Sequence, residues 1–155
     1  MATWKNEPTR VEGRLIDMRY ELLERTWGDV PKLYNHAVLV SCTLPYRSQP
    51  VDVRSFERKS GQMSMRMEAG AVPDLDQGFR EVPLPSGARA RVILLHLTSR
   101  AVKAQSPIVE IEPSFTAFCR SLGYSTGGRD LKALREQMLR MSCVSMRLAR
   151  RYGDF

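Results

Sequence analysis

The stretch STGGRDLKALREQMLRM, residues 125–141, places a double glycine in front of a helix with two unlike faces. At 100° per residue, one face carries only apolar side chains and the opposite face carries mostly cationic ones. The apolar face comprises Leu131, Leu134, Met138 and Met141, and the opposite face comprises Arg129, Lys132, Glu136 and Arg140, with Arg135 at its flank. The apolar face predicts packing against a core. The question is whether the cationic face meets water or a polyanion.

The excess positive charge of the chain lies in the same half as this helix. The 155 residues carry a formal net charge of +7. Residues 1–85 hold equal numbers of acidic and basic side chains, whereas residues 86–155 hold 12 basic and 5 acidic ones. Such an asymmetry is typical of a region with an anionic partner, for which nucleic acid is the first candidate and an anionic lipid surface the second.

Several classes of protein are disfavoured by the sequence. The longest strictly apolar runs are four residues, too short to span a membrane, and the first residues lack the apolar segment of a secretory signal. The three cysteines form no CxxC or Cys/His cluster, which favours reduced thiols. His36 and His96 have no partner at motif spacing, Asp74 and Asp76 lack the other ligands of a calcium loop, and no phosphate-loop, Rossmann or hydrolase motif is present. We therefore expect a cytoplasmic, non-catalytic protein without cofactor or metal.

Before the quoted stretch, the periodicity predicts three kinds of element. Apolar residues at helical spacing predict an amphipathic helix over about 10–27, carried by Val11, Leu15, Met18 and Leu22. A second, weaker helix is predicted within 31–42, although its β-branched run also suits a strand. Residues 53–68 predict a β-hairpin around Lys-Ser-Gly, residues 69–78 a loop, and residues 79–82 a short strand. The expected segments are an N-terminal helix over 1–28, a helix and hairpin packed on the core over 29–85, and a third domain over 86–155.

The third domain has a recognisable order of elements. We expect a largely buried helix over 86–104, a strand over 108–112, and a helix starting near Pro113 and ending at Gly123. Ser125 or Thr126 then caps the quoted helix, and an alternating strand follows it. Helix, strand, helix, helix and strand is the order of a winged helix-turn-helix, whose last helix enters the major groove. The predicted fold class is therefore α+β, a winged helix-turn-helix preceded by an N-terminal helix and a β-hairpin.

Residues 84–143, LPSGARARVILLHLTSRAVKAQSPIVEIEPSFTAFCRSLGYSTGGRDLKALREQMLRMSC, resemble the plasmid-encoded RepA-type replication initiators. That family carries a YGSRARLILLYL helix, a VELG strand, a helix ending in GLSVGGK and an REQ helix. The matching positions here are Arg89, Arg91, the ILLHL run, Gly127-Gly128 and Arg135-Glu136-Gln137. The earlier segments VPKLYNHAVLVSCTLPYR and ERKSGQMSMRMEAG also look like the family's N-terminal part, so the resemblance covers about residues 29–148.

The resemblance implies a winged-helix protein that binds repeats in duplex DNA at a plasmid origin, often as a dimer that converts to a monomer. Family members typically continue into the rest of the wing and a second winged-helix domain, whereas this sequence ends at Phe155. The resemblance therefore implies DNA binding more strongly than a complete initiator activity. A truncated relative put to another use by a mobile element is a further expectation.

The candidate DNA-binding residues lie on and around the quoted helix. Glycine backbone can approach a phosphate closely at a helix amino end, and arginine can pair with phosphate or with guanine. The candidates are Thr126, Gly127, Gly128, Arg129, Lys132, Arg135, Arg140 and Arg147. The alternative is a solvated helix face on which Lys132–Glu136 and Glu136–Arg140 form pairs four residues apart.

Two hypotheses of function remain open. The first is a DNA-binding protein related to plasmid replication initiators. The second is a protein-interaction module on the same fold, which forms a homodimer or binds another replication or mobile-element protein. In the second case, the near-neutral N-terminal half with its amphipathic helix supplies the interface.

Overall fold

The structure is a computed structural model that describes residues 17, 20, 32–76 and 78–152. The chain divides into two compact units, residues 1–32 and 33–155. In the first unit, Asp17 and Tyr20 have helical backbone. The four apolar residues of the predicted N-terminal helix lie outside the described residues, so that helix stays a prediction.

The second unit is an α+β protein, as the sequence predicted. Its described helices are α1 Ala37–Ser41, α2 Gly87–Ala104, α3 Phe115–Ser121 and α4 Gly128–Cys143. Its described strands are β1 Ser55–Ser60, β2 Met63–Glu68, β3 Ala71–Asp74, β4 Gly78–Glu81 and β5 Ser145–Arg150. None of the helices in residues 32–76 and 78–152 is both long and apolar enough to cross a membrane.

The larger sheet is antiparallel, with β2 between β1 and β5. Met65 pairs with Arg58 on one side and with Leu148 on the other. The β1–β2 hairpin confirms the predicted hairpin, with Gly61 at a positive φ of 57° in its turn. Because β5 joins this hairpin, the predicted segments 29–85 and 86–155 share one sheet.

One face of this sheet is covered and forms the first core. Met65 and Met67 alternate with exposed or half-exposed neighbours, as expected for a strand with one buried face. They pack with Val38 and Leu39 of α1 and with Leu84, which precedes α2. The short helix α1 thus closes the sheet from one side.

The second core lies among the three longer helices. Ile93 of α2, Cys119 of α3 and Leu134 of α4 are fully buried against one another. The apolar side chains around them include Leu131 and Met138 from the apolar face predicted for α4. This cluster holds α3 and α2 against α4 and so determines which face of α4 stays exposed.

Two predictions between the helices and strands are wrong. Residues 108–112 are not a strand, although their polar and apolar residues alternate. No neighbouring strand supplies a hydrogen-bond ladder to this segment in the described part of the chain, and Ile108 is 78% exposed. The predicted start of α3 near Pro113 is two residues too early, because α3 begins at Phe115 and the side chain of Ser114 accepts a hydrogen bond from the Ala117 N–H at its start. The predicted order of a winged helix therefore lacks its first strand.

A further strand occupies part of the predicted loop over 69–78. β3 pairs with β4 in a two-stranded ribbon, with Pro73 opposite Phe79. Proline is tolerated there because each strand of a two-stranded ribbon has an open edge that needs no N–H donor. Arg54 holds the base of the ribbon by donating to the carbonyls of Ala69, Gly70 and Val82.

Candidate nucleic-acid interface

The turn between α3 and α4 is shaped by Gly123. Its φ is +77°, in the left-handed region that glycine adopts without steric cost. The Gly123 N–H donates to the Arg120 carbonyl at 2.9 Å, and the Tyr124 N–H donates to the Cys119 carbonyl at 3.0 Å. These two bonds form a Schellman motif, which ends α3 and redirects the chain towards α4. The predicted helix end at Gly123 is confirmed.

The amino end of α4 differs from its prediction in one respect. Gly127 occupies the N-cap position and no side chain caps the helix, so the expected cap by Ser125 or Thr126 is wrong. The Ser125 hydroxyl instead donates to the Asp130 carboxylate at 2.6 Å. Thr126, Gly127 and Gly128 are all exposed. The backbone N–H groups of the first turn are therefore not capped by a side chain, which is the arrangement that suits an external anion.

Asp130 fixes this amino end to the rest of the domain. The Arg89 guanidinium donates to the Asp130 carboxylate at 2.7 Å and lies 5.7 Å from the centre of the Tyr124 ring. The hydrogen bond from Ser125 and the ion pair with Arg89 lower the pKa of Asp130. The carboxylate therefore stays ionised and joins the turn, α2 and α4 at one point. The sequence indicates this anchoring role of Asp130 only weakly, as an acidic residue in the first turn of a helix. A count of charges does not distinguish it from any other carboxylate.

Arg129 and Lys132 form the exposed cationic surface at this end of α4. Both side chains are exposed, and neither makes an ion pair within the part of the chain that the structure describes. Of the two predicted pairs four residues apart, Glu136–Arg140 is confirmed and Lys132–Glu136 is not formed. These two residues thus present unneutralised charge beside the exposed glycines.

Arg135 lies one turn further along α4. It is exposed, and its guanidinium lies 5.1 Å from the centre of the Phe115 ring on α3. A cation over an aromatic face keeps its charge and remains able to donate hydrogen bonds at its edge. Arg135 therefore extends the cationic surface, in an orientation set by α3.

The predicted place of Arg140 on the exposed face is wrong. Only 7% of the residue is exposed, and its guanidinium donates to the Leu84 carbonyl at 3.3 Å and to the Ser48 hydroxyl at 3.2 Å. A helical wheel gives the direction of a side chain around the helix axis, but it does not show which part of the helix length other segments cover. The wheel direction of Arg140 matches that of Arg129, but the carboxyl half of α4 is covered by the segments that contain Ser48 and Leu84.

Gln137 has a structural role that the sequence pattern does not predict: like Arg140, it binds the backbone of the segment before α2. Its side-chain oxygen accepts a hydrogen bond from the Ser86 N–H at 3.0 Å. Two polar side chains of α4 thus bind the backbone of the segment that leads into α2. The sequence pattern of α4 shows only that positions 137 and 140 are polar. It therefore does not reveal that Gln137 is half-buried and Arg140 buried against this backbone.

Arg147 lies apart from the amino end of α4. It is on β5, after the carboxyl end of a helix about 24 Å long. Its guanidinium donates to Glu68 at 2.7 Å, and this bond lowers the pKa of the Glu68 carboxyl. The structure therefore brings Thr126, Gly127, Gly128, Arg129 and Lys132 together, with Arg135 next to them, and separates Arg140 and Arg147 from that group.

The amino end of α4 thus combines exposed, uncapped backbone with exposed cationic side chains. Within the described ranges, no three His, Cys, Asp or Glu side chains come together in a group that could hold a metal ion.

Comparison of the chain with protein-family models, with curated proteins and with solved structures gives no match in any of the three.

Proposed function

We propose that this chain is a DNA-binding protein related to the plasmid replication initiators, and that the amino end of α4 enters the major groove of duplex DNA. The observation that carries the proposal is the amino end of α4 itself. Exposed glycine backbone without a side-chain cap lies there beside Arg129 and Lys132, which form no ion pair within the described structure.

Each part of this surface suits a part of the duplex. The free N–H groups at Gly127 and Gly128 are donors for a phosphate oxygen, and the helix dipole favours negative charge at the same place. Arg129 and Lys132 are long enough to reach phosphates or base edges, and arginine can pair with guanine through two hydrogen bonds. Asp130 is already held by Arg89 and Ser125, so it does not neutralise this surface fully.

The arrangement of α2, α3 and α4 supports a winged helix-turn-helix as the finer description of the fold. Three helices share one core, and a tight turn joins the last two. The larger sheet is built from β1, β2 and β5, and in this proposal the β1–β2 hairpin takes the role of the predicted strand over 108–112. The resemblance to the initiators in residues 84–143 agrees with this proposal.

Gel-shift measurements with duplex DNA test the proposal. The double variant Arg129→Glu/Lys132→Glu changes exposed side chains, so we expect its melting temperature to stay close to that of the parent while DNA affinity falls. We expect the affinity of the parent to fall at least roughly tenfold between 50 and 200 mM salt.

Two controls make the result specific. Arg80→Glu reverses an exposed charge on β4 and should leave DNA affinity nearly unchanged. Leu134→Ala removes a fully buried side chain and should cost about 2–5 kcal/mol of stability, weakening folding and binding together. If the double variant binds DNA as tightly as Arg80→Glu does, the cationic face of α4 meets only water.

One observation favours a protein-interaction module as the second candidate. The β3–β4 ribbon exposes Leu75 completely and Phe79 to 73%. Exposed apolar side chains on a two-stranded ribbon favour contact with another protein chain. Under this alternative, Leu75→Ser/Phe79→Ser lowers the mass measured by light scattering, while the parent shows no salt-dependent DNA binding.

A further inference from the structure

Three cationic residues from two distant parts of the sequence lie at one end of the larger sheet. Lys59 lies near the end of β1, and Arg150 and Arg151 lie at the end of β5. Met63 pairs with both Ser60 and Arg150, and the Arg151 N–H donates to the Gln62 carbonyl at 2.9 Å. The β1–β2 turn and the end of β5 therefore form one surface, here called the sheet tip.

The cations of the sheet tip form no ion pair with an acid among the residues that the structure describes. Lys59, Arg150 and Arg151 are exposed, and none of them makes an ion pair within the described residues. Arg150 lies 4.8 Å from the centre of the Tyr152 ring, and an aromatic face leaves its charge in place.

The contrast with the rest of the sheet shows why the tip is cationic. Further along the strands, Glu57 and Glu68 lie among basic residues and are paired with them. Glu57 accepts from Arg66 at 2.9 Å, and Glu68 accepts from Arg66 at 3.0 Å and from Arg147 at 2.7 Å. The nearest strand acids are thus already used, and the cations of the tip keep their charge; Arg58, further along β1, also has no acid in an ion pair within the described residues and donates to the Thr43 hydroxyl at 2.8 Å.

The shape of the tip fits a nucleic-acid backbone. A shallow hollow of about 400 Å³ is lined by the three cations together with Gly61, Gln62, Met63, Ser64 and Ala149. Neighbouring strands are about 4.8 Å apart, so β1 and β5 are separated by about 10 Å across β2. Lys59 is in register with Ser64, and Arg150 with Met63, so these two cations leave the sheet on opposite faces. Cations on both faces of the tip can contact phosphates of the two DNA strands that border a minor groove about 6 Å wide.

We propose that the sheet tip is a second phosphate-binding surface for duplex DNA, separate from the amino end of α4. The inference rests on the proposed function, because it assumes that the chain binds duplex DNA. An anionic lipid surface is the less favoured partner: the turn residues Gly61 and Gln62 offer no large apolar side chain to insert into a bilayer.

The dependence of DNA affinity on salt tests this proposal. The variant Lys59→Gln/Arg150→Gln/Arg151→Gln removes the three charges, and Lys59→Arg/Arg150→Lys/Arg151→Lys keeps them. The probe is a duplex of arbitrary sequence, and the quantity is the slope of log affinity against log salt. Each lost phosphate contact lowers the slope by about 0.9, so the Gln variant should lose about 2–3 in slope while the charge-keeping variant retains the slope of the parent.

Two further measurements separate the possible causes. Arg80→Gln/Lys103→Gln removes exposed charge elsewhere and should leave the slope close to that of the parent. Vesicles of phosphatidylcholine with phosphatidylserine test the lipid partner, and we expect the Gln variant and the parent to bind them equally weakly.

The outcomes distinguish the two proposals. A parent protein that binds no DNA at low salt overturns both. A parent that binds, with a Gln variant whose slope equals that of Arg80→Gln/Lys103→Gln, overturns the sheet tip and leaves α4 as the contact. Vesicle binding that is lost in the Gln variant, with an unchanged DNA slope, also overturns the sheet tip as a DNA surface and assigns it to lipid.

Discussion

Arg140→Met should destabilise the protein, although a residue of this type on a helix surface usually tolerates substitution. Methionine keeps most of the aliphatic volume of arginine but removes its charge and all its donors. The change therefore isolates the polar contribution of the guanidinium. Its bonds to the Leu84 carbonyl and the Ser48 hydroxyl disappear together with the ion pair to Glu136.

The expected cost follows from how deeply each partner is buried. Leu84 is fully buried, so its carbonyl loses a donor that water cannot easily replace, and an unpaired buried acceptor costs about 1–3 kcal/mol. The Glu136 side chain is 53% exposed, so losing its ion pair adds about 0–1 kcal/mol. We expect a total loss of about 1–4 kcal/mol in the free energy of unfolding.

Urea unfolding of matched variants measures this loss. Arg147→Met is the control, because Arg147 also forms an ion pair but its side chain is 65% exposed, and we expect it to cost only about 0–1 kcal/mol. Equal midpoints for Arg140→Met and the parent, with equal slopes, would refute the argument that Arg140 anchors the segment before α2. Stability of Arg140→Met that matches the control, together with a steep loss of DNA affinity, would return Arg140 to the interface.

Two other predictions concern backbone packing and pH. Gly70→Ala places a Cβ against the Cys143 carbonyl oxygen, where it clashes with backbone, so we expect a loss of at least about 1–3 kcal/mol in urea unfolding, whereas Gly128→Ala, with open space around it, should cost far less. Burial lowers the pKa of His96. The charges of Arg100 and Lys103 lower it further, and the charge of Glu112 opposes them by raising it. The unfolded chain therefore binds this proton more readily, stability should fall as the pH drops below about 6.5, and His96→Phe should weaken that dependence; an identical pH profile for the variant would contradict the assignment.

The fold could be predicted from the sequence wherever one periodicity acted locally. α2, α4 and the β1–β2 hairpin have regular apolar spacing and were predicted nearly in full. The strand predicted over 108–112 is not formed. Alternating polar and apolar residues show that a segment can be a strand, but forming one also requires a neighbouring strand. The pairing of β5 with β2 depends on packing between distant segments, which no local pattern specifies.

The candidate site was predictable in part for the same reason. The amino end of α4, with its glycines, Arg129 and Lys132, follows from a turn signal and a charge pattern within one helix. Arg140 was misplaced because its environment is supplied by Ser48 and Leu84, from other parts of the chain. The sheet tip as a whole could not be predicted, because Lys59 and Arg151 come to the same end of the sheet only when the sheet forms.

The position of β2 between β1 and β5 also determines the order in which the chain can fold. The hairpin is local and can form early, but β2 then keeps one open edge until residues 145–150 arrive, after three helices have been made. Closing so long a loop carries an entropy cost, and in the meantime the apolar face with Met65 and Met67 is only half covered. An open strand edge beside apolar side chains is a template for pairing with another chain. Synthesis interrupted before residue 145 should therefore yield an aggregating fragment and not a smaller folded domain.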